Sequence, residues 1–227
     1  MKVELIKRIK ETEDSFSFIF KPEEDLHWQA GQFIFFQIPH ENPDSRGIKR
    51  HFTIASAPYE KIIMLTAKFD FKKGSSFKKA LFNLKPGDRI EAFGIRGNLV
   101  IKDINSKFVF ITGGIGITPY RAILLDLVHK NASPDITMLY GNKDNDFIFK
   151  DMLDRLDSEL DWLEINYIIE PQLIDSDVIK RNVSDVYNSI YYISGPHKMV
   201  RIIESILLEM KIDKENMLVD YFFGYED

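Results

Sequence analysis

The sequence predicts two domains in series: an antiparallel β-barrel or sandwich, then an α/β domain whose parallel sheet is covered on both faces. Three observations lead there. Apolar residues in the first half alternate at period two, and in the second half compact apolar strands alternate with helices. Between them, the short polar stretch Asp103–Ser106 separates the two rhythms, which gives expected domains of residues 1–103 and 104–227. With 227 residues, 44% of them hydrophobic, the chain has material for two cores of about 100 residues each.

In the first half, Phe16, Phe18 and Phe20 mark one strand, followed by Gln32–Ile38, His51–Ile54 and Ile62–Phe69. Turn signals punctuate these runs at Lys21-Pro22, Ala30-Gly31, Ala57-Pro58 and Lys85-Pro86-Gly87-Asp88. A short helix is expected over Ser76–Asn83. The second half opens on a strand at Lys107–Ile111, then a helix at Thr118–Lys130 and a strand at Ile136–Tyr140. A helix at Asp146–Ser158 carries Phe149, Met152, Leu153 and Leu156 along one side. Strands at Leu163–Ile169 and Ser189–Ile193, a helix at Pro196–Met210 and a strand at Met217–Phe222 complete the pattern.

Composition excludes several chemistries. The chain has no cysteine, which removes disulfides, thiol catalysis and cysteine-ligated iron–sulfur clusters from it. Its five histidines are scattered without metal-ligand spacing, so no metal site is expected. A net charge of −5 argues against nucleic acid as the main partner. The charge is uneven, with ten basic and four acidic residues between Lys68 and Lys107. Charges recur in Met1–Arg8 too often for a signal peptide, and no run approaches the roughly 20 apolar residues of a membrane span, so a cytoplasmic location is expected.

The most informative stretch is Thr112-Gly113-Gly114-Ile115-Gly116-Ile117-Thr118-Pro119, joining the first parallel strand to its helix. Gly113, Gly114 and Gly116 let the backbone turn tightly and let phosphate oxygens approach main-chain N–H groups. Thr118 suits a helix cap, and Pro119 the first helical position, where a missing N–H costs nothing. The free donors and partial positive charge of the helix start then suit a dinucleotide pyrophosphate. The same spacing also serves a tight turn that holds no ligand.

Four segments in this order, Arg50-His51-Phe52-Thr53, Gly74-Ser75-Ser76, Gly113–Pro119 and Ser194-Gly195-Pro196, resemble the ferredoxin–NADP reductase-like flavoenzymes, in a short form without an iron–sulfur domain. The resemblance implies an FAD-binding β-barrel followed by a doubly wound NAD(P)-binding domain. It implies that Arg50 pairs with the FAD pyrophosphate, that Phe52 lies beside the isoalloxazine where the family has tyrosine, and that Thr53 lies near flavin N5. It makes Gly74, Ser75 and Ser76 a second phosphate contact. Ser194 stands where many members have cysteine beside the nicotinamide, Gly195 would admit the edge of that ring, and Pro196 would start the next helix. Phe223 and Tyr225 are the candidates for an aromatic cover on the flavin. Strand alternation puts Arg50 and Phe52 on one face and Thr53 on the other.

The implied activity is hydride transfer between NAD(P)H and bound FAD, with Thr53 and Ser194 nearest the chemistry. Spacing alone does not separate FAD from FMN. Electrons would then pass to a small molecule or to a separate acidic carrier such as ferredoxin or flavodoxin, which the basic segment would steer. After the second parallel strand, Lys143 stands near the place of a 2′-phosphate contact, while Asp144 and Asp146 favour a free ribose hydroxyl. NADH and NADPH both stay open. The alternative is an electron-transfer subunit or flavin-binding regulator with little turnover of its own.

Overall fold

The computed structural model describes residues 1–222. It divides into two compact units, Met1–Val100 with Thr118–Asp126, and Ile101–Ile117 with the chain from Leu127 onward.

The first unit is built on six strands: β1 (Lys2–Lys10), β2 (Ser15–Pro22), β3 (Phe33–Gln37), β4 (Lys49–Thr53), β5 (Ile63–Lys68) and β6 (Arg89–Arg96). They pair antiparallel in the order β4-β3-β6-β1-β2-β5. The sheet curls until its edges meet: just past β4, the Ala55 N–H donates to the Met64 carbonyl in β5 at 2.8 Å. That bond satisfies one donor and one acceptor at edges that would otherwise template aggregation. Phe18, Phe20, Ile34, Phe36 and Leu65 fill the interior, and α1 (Ser76–Asn83) adds Phe77 and Leu81. Strands β1 and β6 lie outside the sequence-based expectation. Each buries few apolar residues, Val3 and Leu5 or Ile90 and Ala92, among charged ones, so neither shows a clear alternation.

The second unit carries β7 (Phe108–Gly113), β8 (Ile136–Asn142), β9 (Leu163–Ile169), β10 (Ile190–Pro196) and β11 (Met217–Phe222), all parallel in the order β11-β10-β7-β8-β9. The helices are α2 (Thr118–His129), α3 (Lys150–Glu159), α4 (Ser176–Asn182) and α5 (His197–Glu209), and α2 straddles the division between units. On one face of the sheet, Val109, Ile111, Tyr191 and Ile193 pack with Val178, Ile179, Val200 and Ile203 from α4 and α5. The expected fold, an antiparallel barrel-like sheet followed by a doubly wound parallel sheet, is the one observed.

Two local differences have clear causes. The expected helix at Asp146 starts four residues late, because Asn142 Nδ2 donates to the Asp144 and Asp146 carbonyls (3.2 and 3.1 Å) and holds a turn there. Phe149 therefore caps α3 in a left-handed conformation (φ 62°) instead of joining it. Helix α4 was not expected; at seven residues with two buried apolar positions it shows too little periodicity, and it begins because Asp175 accepts from the N–H groups of Asp177 and Val178. No described helix is long and apolar enough to cross a membrane.

Candidate functional site

In an open parallel sheet, the place for a ligand is the crevice at the carboxyl ends of two neighbouring strands whose connections leave in opposite directions. Here those strands are β7 and β10: β7 leads to β8 on one side, and β10 to β11 on the other. The Gly113–Pro119 segment and the Ser194-Gly195-Pro196 segment end these two strands. The structure brings them together.

The contact is tight. A Cβ on Gly116 would lie 2.3 Å from the Ser194 carbonyl oxygen and 2.7 Å from Gly195 Cα, closer than real Cβ contacts allow. A Cβ on Gly113 would lie 2.3 Å from Met199 Sδ in α5. Gly195 adopts φ 154°, a backbone that L side chains rarely take. Gly116 is thus required by backbone packing, whereas a side chain at Gly113 would have only to displace the flexible end of Met199. Gly114 differs: among the described residues nothing stands within 4 Å of where its Cβ would be, so its backbone faces open space of the kind a ligand needs. A 3-10 turn over Gly114–Ile117 runs directly into α2, so Thr118 lies inside the first helical turn and is buried, and Pro119 follows it. Pro196 ends β10 and stands immediately before α5, as expected for a helix starter.

Strand register places five polar side chains in one row across the sheet: Tyr167, Tyr140, Thr112, Ser194 and Asp220. Tyr140 donates to the Gly114 carbonyl (3.0 Å) and so braces the turn. Tyr167 donates to Asp154 (2.6 Å). The hydroxyls of Thr112 and Ser194 are fully buried and have no hydrogen-bond partner among the described residues. Burial pushes the Asp220 carboxyl up to about 6. Thr112 and Asp220 escaped the sequence reading because their relation to Ser194 exists only through strand order.

A second cluster lies in the first unit. Ser75 caps α1, its hydroxyl accepting from the Lys78 N–H (3.2 Å), and a Cβ on Gly74 would collide with the Asp70 carbonyl at 2.3 Å. Asp44 sits at this helix start: its Oδ2 accepts from the Ser76 N–H (3.0 Å), and its own N–H donates to Ser76 Oγ (2.8 Å). Arg50 turns inward to the same loop. Its Nη2 donates to Asp44 Oδ1 (3.3 Å), and its Nη1 to the carbonyls of Arg46 (2.6 Å) and Lys49 (2.5 Å). Partial burial tends to raise the Asp44 carboxyl, but the N–H groups of Ser76 and Arg46 and the Arg46 side chain outweigh it and bring it down to about 2.

Asp44, Arg46, Gly74, Ser75 and Ser76 line a cleft of about 640 Å³ together with His40, Glu41, Lys73 and Lys79. Burial, reinforced by Arg46, Lys68 and Arg50, holds Lys78 down to about 8. The donor set (guanidinium, ammonium, serine hydroxyl, helix N–H) suits an anionic group such as a diphosphate. Phe52 faces α1 as alternation requires, its ring stacked on Phe77 at 5.8 Å, with the Arg50 guanidinium also over Phe77. Thr53 is buried on the opposite side of β4. Lys143, Asp144 and Asp146 are exposed in the turn after β8. Phe223 and Tyr225 lie outside the described residues. Among the described residues no group of three potential metal ligands occurs.

Residues 110–205 match the family profile of the oxidoreductase NAD-binding domain. The chain is 26% identical over 229 residues to a subunit of the Na(+)-translocating NADH-quinone reductase of Idiomarina loihiensis, covering 90% of this chain and 56% of that protein. It therefore spans little more than half the length of that relative. Among solved structures, ferredoxin-NADP+ reductase from Plasmodium falciparum superposes with a TM-score of 0.82 at 19% identity, covering 97% of this chain and 95% of the other. The flavohem-like FAD/NAD-binding domain of a Vibrio cholerae nitric oxide dioxygenase gives 0.80 at 20% identity, covering 97% and 98%. Residues 110–205 thus resemble an oxidoreductase NAD-binding domain, in a chain that shares its fold with ferredoxin-NADP+ reductase from Plasmodium falciparum.

Proposed function

We propose that the chain is an NAD(P)H-dependent oxidoreductase that holds FAD on residues 1–103 and a nicotinamide nucleotide on residues 104–227. The observation that carries this reading is the meeting of the Gly116 turn with Ser194-Gly195 at the carboxyl ends of β7 and β10, within the segment that matches the NAD-binding family. In this reading Gly113, Gly114, Gly116, Thr118 and Pro119 receive the nucleotide pyrophosphate. Ser194 and Gly195 receive the nicotinamide edge, and Lys143 lies at the adenosine end. Arg50 and Gly74–Ser76 hold the FAD diphosphate, with Phe52 and Thr53 beside the ring system.

When bound, the flavin supplies the two-electron to one-electron chemistry that no side chain provides. The protein's own contribution is positioning: each unit would hold its bound group in a fixed orientation, and hydride transfer between them needs no acid–base pair. Steady-state reduction of ferricyanide by the FAD-reconstituted protein tests the reading, with NADH and NADPH assayed separately. Turnover with at least one nucleotide is expected, and none with both would overturn it.

The second reading is an electron-transfer module inside a larger protein or complex. It is favoured by the partial coverage of the relatives, one of which is named as a subunit. In either setting the basic segment Lys68–Lys107 would steer an acidic carrier such as ferredoxin or flavodoxin. A steep fall of carrier reduction with salt is expected, and a flat profile would reject steering.

A further inference from the structure

Arg121 is the fourth residue of α2, the helix opened by the Gly113–Pro119 turn, and no part of the proposed nucleotide contact uses it. Its guanidinium is turned to the barrel-like unit. Nη1 donates to the Ala55 carbonyl at 2.7 Å and to Glu60 Oε2 at 3.0 Å, and Nη2 donates to Glu60 Oε1 at 3.2 Å. Both partners of the ion pair are largely removed from water, with side chains 14% and 19% exposed. Glu60 is itself fixed, because its Oε2 accepts from the Ala57 N–H at 2.7 Å. Ala55 is fixed in turn by its N–H bond to Met64.

The clamp therefore ends on a rigid segment, Ala55–Glu60, that begins two residues after Thr53. A bidentate guanidinium–carboxylate pair fixes angle as well as distance, which a lysine in the same place does not. All these contacts lie within the first unit, to which the first nine residues of α2 belong. A surface ion pair contributes little to stability, but one this enclosed, tied to two backbone segments, fixes geometry.

We infer that Arg121 is a positioning residue for hydride transfer. It holds the segment that follows the flavin strand to the start of α2, and so fixes the backbone beside which Thr53 and the flavin ring are proposed to lie. This rests on the oxidoreductase reading above. A misplacement of about 1 Å in such an arrangement costs on the order of a hundredfold in rate. The clamp thus acts on the rate of transfer and leaves the affinity for either cofactor nearly unchanged.

The test uses the FAD-reconstituted full chain in anaerobic rapid mixing, comparing wild type, Arg121→Ala, Arg121→Lys and Glu60→Gln. We expect Arg121→Ala to retain FAD and to bind nucleotide within about threefold of wild type, while flavin reduction at saturating nucleotide slows about tenfold or more. Glu60→Gln, nearly isosteric, is expected to slow the same step. The double variant is expected to be no slower than Arg121→Ala, because the two side chains act as one unit. If Arg121→Ala does not fold, Arg121→Lys and Glu60→Gln give the same readout. Wild-type reduction rates in the variants that retain FAD would overturn the inference. A wild-type protein that holds FAD but is reduced by neither nucleotide would instead remove the underlying reading, and the inference with it.

Discussion

Gly116 lies so close to the Ser194–Gly195 peptide that the smallest side chain would fall 2.3 Å from the Ser194 carbonyl oxygen. The turn that leaves β7 and the turn that leaves β10 therefore touch backbone to backbone. Crossovers that diverge from adjacent parallel strands open a crevice only if the two departing loops stay thin. Glycine at 116 and at 195 keeps them so.

Gly116→Ala is expected to destabilise the protein by about 2–3 kcal/mol, because the colliding atoms are backbone and cannot turn aside. Gly114→Ala, with free space around it but a backbone at φ 50°, is expected to cost only about 1 kcal/mol. Urea unfolding compares the two. Equal midpoints would show that the contact at Gly116 relaxes freely.

Asp44 occupies the helix start that the FAD diphosphate is proposed to share with Arg50 and Ser76. Asp44→Asn keeps an acceptor there and removes a negative charge, so FAD is expected to bind roughly tenfold more tightly at low salt, and less so as salt screens the charge. Fluorescence titration of the flavin-free protein measures this. Weaker binding would mean that Asp44 holds Arg50 in place for the ligand. The depressed Asp44 carboxyl stabilises the fold above the ordinary carboxylate range, and that stability is lost as pH falls through about 2. The variant should therefore lose part of the steepness of acid unfolding.

Asp220 has the opposite sign. Its carboxyl is raised to about 6, so the proton is held more tightly in the folded state, and its favourable contribution is complete below about pH 4 and lost as pH rises through 6. Asp220→Asn should stabilise the protein by on the order of 1–2 kcal/mol at pH 8, after allowance for partial exposure, and by almost nothing at pH 4. Thermal unfolding at the two pH values checks it, and a gain independent of pH would contradict it.

Thr112 carries a buried hydroxyl without a partner among the described residues. Thr112→Val keeps the shape and removes the unpaired group, which is expected to raise stability by about 1 kcal/mol. If that hydroxyl serves the nucleotide, the same substitution weakens nucleotide binding. A stability loss in the nucleotide-free protein would show that Thr112 is already satisfied, for example by internal water.

Much of the fold was legible because hydrophobic period changes with architecture. Leu163–Ile169, Met217–Phe222 and Ser76–Asn83 fall where the pattern put them. Strands β1 and β6 were not, because a half-exposed antiparallel strand with only two buried residues reads like a charged loop. Within the candidate site, the glycine turn and Ser194-Gly195 were visible as local motifs. Their mutual contact was not, for it depends on β7 and β10 being neighbours, with Phe108 and Ile190 paired across the sheet although far apart along the chain. Asp44, Arg121 and Asp220 carry no local signature at all. They become informative only when register and loop packing reveal their partners.

Anaerobic mixing of the FAD-reconstituted protein with NADH and, separately, NADPH tests the central claim most directly. Rapid loss of the oxidised flavin absorbance is expected with at least one nucleotide, at a rate that saturates with its concentration. A protein that binds FAD and keeps its absorbance unchanged in the presence of both nucleotides would contradict it.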